Sequence, residues 1–260
     1  MKTSVGRAIA GLCVVGALSL ATAPAGAQTP EVKEKPRMYS YVSNWTIPRA
    51  KWGDMEKDNA TSGKMLEHDV ASGAIVGYGD DTNLVHTPEG STHDNWWSAM
   101  SIAALLNVLE EFYKSGRSVA PVLTSATKHW DGVYVSRFYN WRAGSYKGAY
   151  THVSSYKLKA DAPKDAVEVL SKNLVVPLLE KLMADGTLVE YEIDEEAIHT
   201  ESPDTFWIDY IAASSEGLDK TNAALRETLK ATPLAGPAFG SMVDFAPHRD
   251  YLSRTNATYK

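Results

Sequence analysis

Residues 65–78 read MLEHDVASGAIVGY, and residues 178–191 read LLEKLMADGTLVEY. Each stretch runs from a helical apolar pattern, through one glycine, into a short run that ends in tyrosine. A glycine just past the last periodic residue is a helix stop, because it tolerates the left-handed backbone that closes the final turn. The runs AIVGY and TLVEY then have the β-branched and aromatic content of strands. The stretches lie 113 residues apart, and the same offset carries His86 onto His199 and Thr87 onto Thr200.

Two further blocks repeat in the same order. YSYVSNW (39–45) matches YTHVSSY (150–156), and HWDGVYVSR (129–137) matches HRDYLSR (248–254). Three ordered matches with small drift indicate an internal duplication. Each copy predicts the same elements: a strand (YVSNWTI or YTHVSSYKL), a helix, a strand, a strand (NWWSAMS or TFWIDYIA), an amphipathic helix and a closing strand. In the second copy Asp161 is a candidate helix cap, and Pro177 predicts a kink or break inside the helix.

The order β-α-β-β-α-β is the split βαβ, or ferredoxin-like, unit. Its helices cover one sheet face and leave the other bare, so the bare face must be buried against something. A second copy in the same chain is the natural cover. On these residues the chain resembles the dimeric α+β barrel superfamily over about 38–260, and it is similar to uncharacterised secreted bacterial proteins. The expected fold is therefore α+β: two tandem ferredoxin-like βαββαβ repeats, 38–147 and 148–260, packed sheet to sheet as an intramolecular dimeric α+β barrel. The resemblance implies small-molecule chemistry of several kinds, including cofactor-free monooxygenation, isomerisation and haem binding. Fold does not choose among them.

Ahead of the repeats, Lys2, Arg7 and the apolar run AIAGLCVVGALSLA have the form of a signal peptide. Cleavage is expected after Ala27, which places the protein in a secreted or periplasmic location. Residues 28–37, rich in proline and charge, are expected to form a disordered leader. The only cysteine, Cys13, lies within the apolar run, so the mature chain has no thiol for a disulfide, a thiolate metal site or a nucleophile. Net charge is −6 with dispersed basic residues, which gives no footprint for nucleic acid. No later apolar run is long enough to span a membrane.

The candidate site residues follow from the repeats and their differences. Alternation places Tyr78 and Tyr191 on one strand face, read as lining the cleft between sheets, with Glu190 and Glu192 facing out. His86 and His199 follow those tyrosines by eight residues and admit two readings. One is a general base or ligand at a cleft mouth. The other is a turn histidine that both copies inherited, and repeated structure explains a repeated residue first. His93 and Asp94 align with Phe206 and Trp207, so a polar pair replaces an aromatic pair in one copy only. Strand neighbours point to opposite faces, so His93 and Asp94 do not form a dyad. Trp96 and Trp97 offer an aromatic wall. His129, Asp131 and Arg137 recur as His248, Asp250 and Arg254, as a brace or an acidic-ligand clamp. Tyr139, in the aromatic cluster FYNW, occurs only in the first copy.

Taken together, His86, His93 and Tyr78 are the candidate catalytic groups. Trp96, Trp97, Tyr139, Arg137, His129, His199 and Tyr191 are the candidate ligand-binding groups. The scattered histidines show no metal-ligand spacing, so no metal and no cofactor is expected. Haem is the alternative, and it requires a histidine facing an apolar cavity. The expected function is binding or transformation of a small apolar or aromatic molecule in a pocket of the first repeat, by a monomer or homodimer. A non-catalytic structural or interaction module is the competing reading.

Overall fold

The computed structural model describes residues 32–200 and 203–260. The proposed signal peptide lies outside the described residues.

Among the described residues, eight strands and six α-helices follow in the duplicated order. The first repeat holds β1 (Met38–Thr46), α1 (Trp52–Ser72), β2 (Gly77–Asn83), β3 (His93–Ala99), α2 (Ile102–Lys114) and β4 (Lys128–Trp141). The second holds β5 (Gly144–Leu158), α3 (Ala166–Leu170), α4 (Val176–Ala184), β6 (Leu188–Ile198), β7 (Thr205–Ala212), α5 (Ser215–Ala231), α6 (Ala235–Met242) and β8 (Val243–Tyr259).

The punctuation behaves as its chemistry requires. Gly73 and Gly186 both close their helices at φ 81°, a left-handed conformation that favours glycine. Ser101 caps α2 by accepting from Ala104 N–H, and Ser214, 113 residues later, caps α5 by accepting from Gly217 N–H. Pro177 has no N–H to donate, and the helix breaks just before it. A π-helical turn, Ser171–Val175, separates α3 from α4. Asp161 is not the cap: the helix begins at Ala166, and Asp165 at its cap position makes no side-chain bond to it.

All strand pairs are antiparallel, and they close into one barrel in the order β1-β3-β2-β8-β5-β7-β6-β4. Within each repeat the sheet is ferredoxin-like. The two sheets join along the β2–β8 and β4–β6 edges, so no edge strand is left open. Residues 32–260 form a single compact unit.

Helices pack on the outer face of each sheet. Leu179, Leu182, Met183, Tyr191, Phe206 and Tyr210 form the core under the second repeat's helices. Leu66, Val70, Tyr78, Trp97 and Leu105 form the counterpart in the first. The inner face encloses a lumen, and Val189, Ile211, Ala257 and Tyr259 form a smaller apolar cluster with Trp96 and Trp141 packed against it.

Residues 32–37 are held against β4. Lys35 N–H donates to Arg137 O at 2.8 Å, Tyr139 Oη donates to Pro36 O at 2.8 Å, and Glu34 pairs with Arg137 at 3.3 Å. Their polar composition suggested a disordered leader. Backbone pairing and that ion pair, neither visible in composition, order this part of it.

Candidate functional site

The lumen has a volume of about 960 Å³ and is lined from both repeats. This corrects the expectation of a pocket in the first repeat. The β2–β8 and β4–β6 edges make one barrel, so every strand of both repeats contributes its inner face.

Alternation decides which side chains enter. On β6 the inner residues are Glu190, Glu192 and Asp194, and on β7 they are Trp207, Asp209 and Ile211. On β3 they are Asp94, Trp96 and Ser98, and on β2 Asp81 and Asn83. With Glu89, Asp131 and Asp250 at more exposed positions of the lining, the lumen thus carries six buried carboxyl groups. Glu190 and Glu192 were expected to face out and Tyr78 and Tyr191 in; the structure reverses this. The polar-out rule assumes one dry face and one wet face. Here the dry face is the helix side, where the tyrosines pack, and the polar residues turn into the barrel. For the same reason GDDTN and EIDEEA, polar enough to suggest strand ends, are strand throughout.

The donors to these acids are neutral. Asp81 accepts from Trp96 Nε1 at 3.1 Å and from Thr151 Oγ1 at 3.0 Å. Glu192 accepts from Ser40 Oγ at 3.0 Å, and Asp94 from Asn83 Nδ2 at 3.1 Å. Four carboxyl oxygens, on Asp94, Glu190, Asp194 and Asp209, are buried with no hydrogen-bond partner among the described residues. Burial is the main cause of the shift in each acid. It pushes Asp81 up to about 7 against the pull of the Thr255 and Thr151 hydroxyls, with the Asp94 charge adding to the rise. It pushes Asp94 to about 6 and Glu192 to about 7. Glu190, Asp194 and Asp209 are held well above the usual carboxylate range by burial and then by repulsion from their neighbours. Lys128, Lys157 and Arg249 also line the lumen, but no lysine, arginine or histidine is among the main causes of the shift in any of the six.

Of the expected site residues, only Trp96 enters this constellation. Tyr78 is buried beneath α1 in the first repeat's outer core. Tyr191 donates to Glu180 of α4 at 2.6 Å. Trp97 lies on the outer face, stacked on Tyr41 at 4.4 Å, with its Nε1 bonded to Leu105 O. Tyr139 and Arg137 hold the leader, and Arg137 also pairs with Glu195 at 3.0 Å. His86 is exposed in the β2–β3 connection, and His199, 79 % exposed, follows the end of β6. His93 and Asp94 point to opposite faces, Asp94 into the lumen and His93 outward. His93 is 1 % exposed, its Nδ1 bonded to Thr92 Oγ1 and its ring edge-on to Trp52. Burial lowers its pKa to about 4, so it is neutral at physiological pH.

His129 belongs to a duplicated brace whose aspartates, Asp131 and Asp250, line the lumen while its histidines do not. Ser43 Oγ donates to Asp131 at 2.7 Å, Asp131 sits 3.4 Å from His129 Nε2, and His129 Nδ1 meets Asn44 O at 3.0 Å. Ser154, Asp250, His248 and Ser155 O repeat this at 2.7, 3.3 and 2.8 Å. Each imidazole stacks on an aromatic ring, Trp45 or Tyr156. The serine proton is directed at the aspartate rather than at the imidazole, so neither set is an activated nucleophile.

Haem requires an axial ligand, and none of the seven histidines lines the lumen. A histidine-held haem therefore does not fit this cavity. No group of three or more metal-ligating side chains is placed to hold an ion among the described residues.

Alternation alone assigns the lumenal acids to the surface, because it does not say which strand face is dry. One signal was available: offset 113 maps Gly77 and Gly79 onto Glu190 and Glu192. The glycines give space to rings, since a Cβ at Gly79 would lie 2.5 Å from Trp96 and one at Gly77 would lie 2.4 Å from Tyr259. The glutamates supply carboxyls at the equivalent positions.

No family profile matches the chain, and no curated protein matches it by sequence. Solved structures do. A protein from Lactobacillus acidophilus, provisionally named a monooxygenase, superposes with a TM-score of 0.60 at 11 % identity, over 86 % of this chain and 97 % of its own. One from Fusobacterium nucleatum, named likewise, gives 0.62 at 7 % identity, over 86 % and 94 %. An anthrone oxidase-like protein gives 0.51 at 10 % identity, over 88 % and 96 %. This chain has the dimeric α+β barrel fold, as the duplication implied.

Proposed function

We propose that this is an exported small-molecule-binding barrel whose lumen performs proton transfer on its ligand, as an isomerase or in the proton-abstraction step of cofactor-free oxygenation. One observation carries the reading. Asp81 and Glu192, in an aromatic-walled cavity, have pKa values pushed to about 7. A carboxyl group poised there accepts or returns a proton at neutral pH, which an ordinary carboxylate does poorly. The flat walls suit a ring: Trp96, Trp207 and Tyr134 stand among the acids, with Val42 and Val153 between them. The fold shared with proteins named as monooxygenases is consistent with this at the level of analogy. Export rests on the basic and apolar pattern of residues 1–27. No helix among the described residues is long and apolar enough to cross a membrane.

The test is a thermal-shift screen of phenols, lactones and amines, followed by proton NMR of hits in heavy water. A binder should exchange its acidic C–H protons faster with wild-type protein than with Asp81→Asn or Glu192→Gln. No binder in any class would end the ligand-binding reading. Binding without exchange would remove the proton-transfer role.

A further inference from the structure

We infer that the lumen selects an organic cation: an alkyl or arylalkyl amine, with a two-ended diamine the best match. The inference rests on the binding reading above and names the class of ligand.

The first observation is the unpartnered oxygens. Glu190 and Asp194 are each 4 % exposed, line the cavity, and leave Oε1 and Oδ1 respectively without a donor. Asp94 and Asp209 each add one more such oxygen. Buried polar atoms normally find partners, and an unpartnered one is costly. An ammonium group carries N–H donors and no acceptor, which is the complement of this set. A neutral alcohol or phenol brings one donor and adds acceptor lone pairs to a site already crowded with them.

Charge is the second. The protein's own bonds to these acids come from a hydroxyl, an amide or an indole, none of them charged. The cavity is also lined by Lys128, Lys157 and Arg249, but none of them is among the causes acting on Glu190, Glu192, Asp194 and Asp209, whose mutual repulsion a cationic ligand would offset. The carboxyls do not converge as metal ligands. Asp81 faces Asp94 and Glu192 faces Asp209 across strands, while Glu190, Glu192 and Asp194 run along β6, a length that suits an extended organic cation over a single ion.

Spacing is the third. Glu190, Glu192 and Asp194 are alternate residues of β6, so their side chains leave the strand at intervals of roughly 6.7 Å. That is close to the separation of the two ammonium groups across a four- or five-carbon chain. Trp96, Tyr134 and Trp207 supply ring faces, on which cations and methylene chains both rest well.

Titration calorimetry on the full chain tests this with 1,5-diaminopentane, pentylamine, 1,5-pentanediol and 2-naphthol. At pH 7.5 the diamine should bind best, pentylamine more weakly, and the diol not measurably. Binding should release protons from the lumenal acids, seen as an enthalpy that varies with the ionisation heat of the buffer, and it should weaken tenfold or more at pH 5. Glu190→Gln and Asp194→Asn, near-isosteric, should each weaken the diamine at least tenfold while the melting profile stays cooperative. The proton release is read on wild-type protein, so it stands even if a variant fails to fold. Equal binding of diol and diamine, or binding unchanged in both variants, overturns the inference. Binding of 2-naphthol without either amine overturns the cation class and leaves the small-molecule reading in place. No binding by any of the four removes both.

Discussion

Replacing Asp81 by asparagine should change stability with a sign that depends on pH. The carboxyl is 5 % exposed, accepts from Trp96 and Thr151, and has its pKa raised from 3.8 to about 7. Below the unfolded value both states hold the proton and there is no penalty. As pH rises the unfolded chain ionises first, so stability falls until the folded carboxyl also ionises near 7. At about 1.36 kcal/mol per pH unit, the full loss is roughly 4 kcal/mol. Asparagine never ionises and escapes this loss. It has one acceptor oxygen in place of two, however, so either the Trp96 indole or the Thr151 hydroxyl loses its partner, at about 1–2 kcal/mol. The variant should therefore be less stable than wild type by about 1 kcal/mol at pH 4.5 and more stable by about 2 kcal/mol at pH 8. Urea unfolding followed by circular dichroism at intervals between those values measures both curves. Parallel curves, with a difference independent of pH, would refute the claim that the lumen holds Asp81 as an acid.

Other outcomes follow from the same geometry. Gly79→Ala places a Cβ 2.5 Å from the Trp96 ring and 2.9 Å from the Asn256 carbonyl oxygen. It should lower stability by about 1–3 kcal/mol and shift tryptophan emission, whereas Gly53→Ala, in open space on α1, should not. His93, held near 4 by burial, should show no imidazole titration above pH 5 by NMR. Because its folded value lies below the unfolded one, its stability contribution is lost as pH falls from about 6.5 towards 4. Ser43→Ala and Ser154→Ala each delete one 2.7 Å donor in the duplicated braces. They should cost similar amounts, about 1 kcal/mol each, and add in the double variant, since the braces share no partner.

The repeats were legible because helix stops, serine caps and strand runs are local chemistry that survives at a constant offset. Register follows the same arithmetic. Trp45 pairs with His93 in the first repeat and Tyr156 with Phe206 in the second, so the alignment of His93 with Phe206 was sound. The site was not legible in the same way. Tyr78, Tyr191, His86, His199 and His93 were singled out because they are chemically capable and repeated or conspicuous. In the structure the two tyrosines pack in the outer cores, His86 and His199 are exposed, and His93 is buried on the face away from the lumen. Glu190, Glu192 and Asp194 were passed over because alternation identifies two faces without saying which one is dry.

Sequence alone determined the duplication, the element order and, through the bare sheet face, the need for one repeat to cover the other. Those are consequences of short-range backbone preference and apolar periodicity. Tertiary structure decided what the covered face contains. Closing β2 onto β8 and β4 onto β6 turned that face into a lumen shared by both repeats, and buried six carboxyls within it. Their raised pKa values arise first from burial and, for Asp81, Glu190, Asp194 and Asp209, also from the charges of acids on other strands. No single strand of the chain carries that environment by itself.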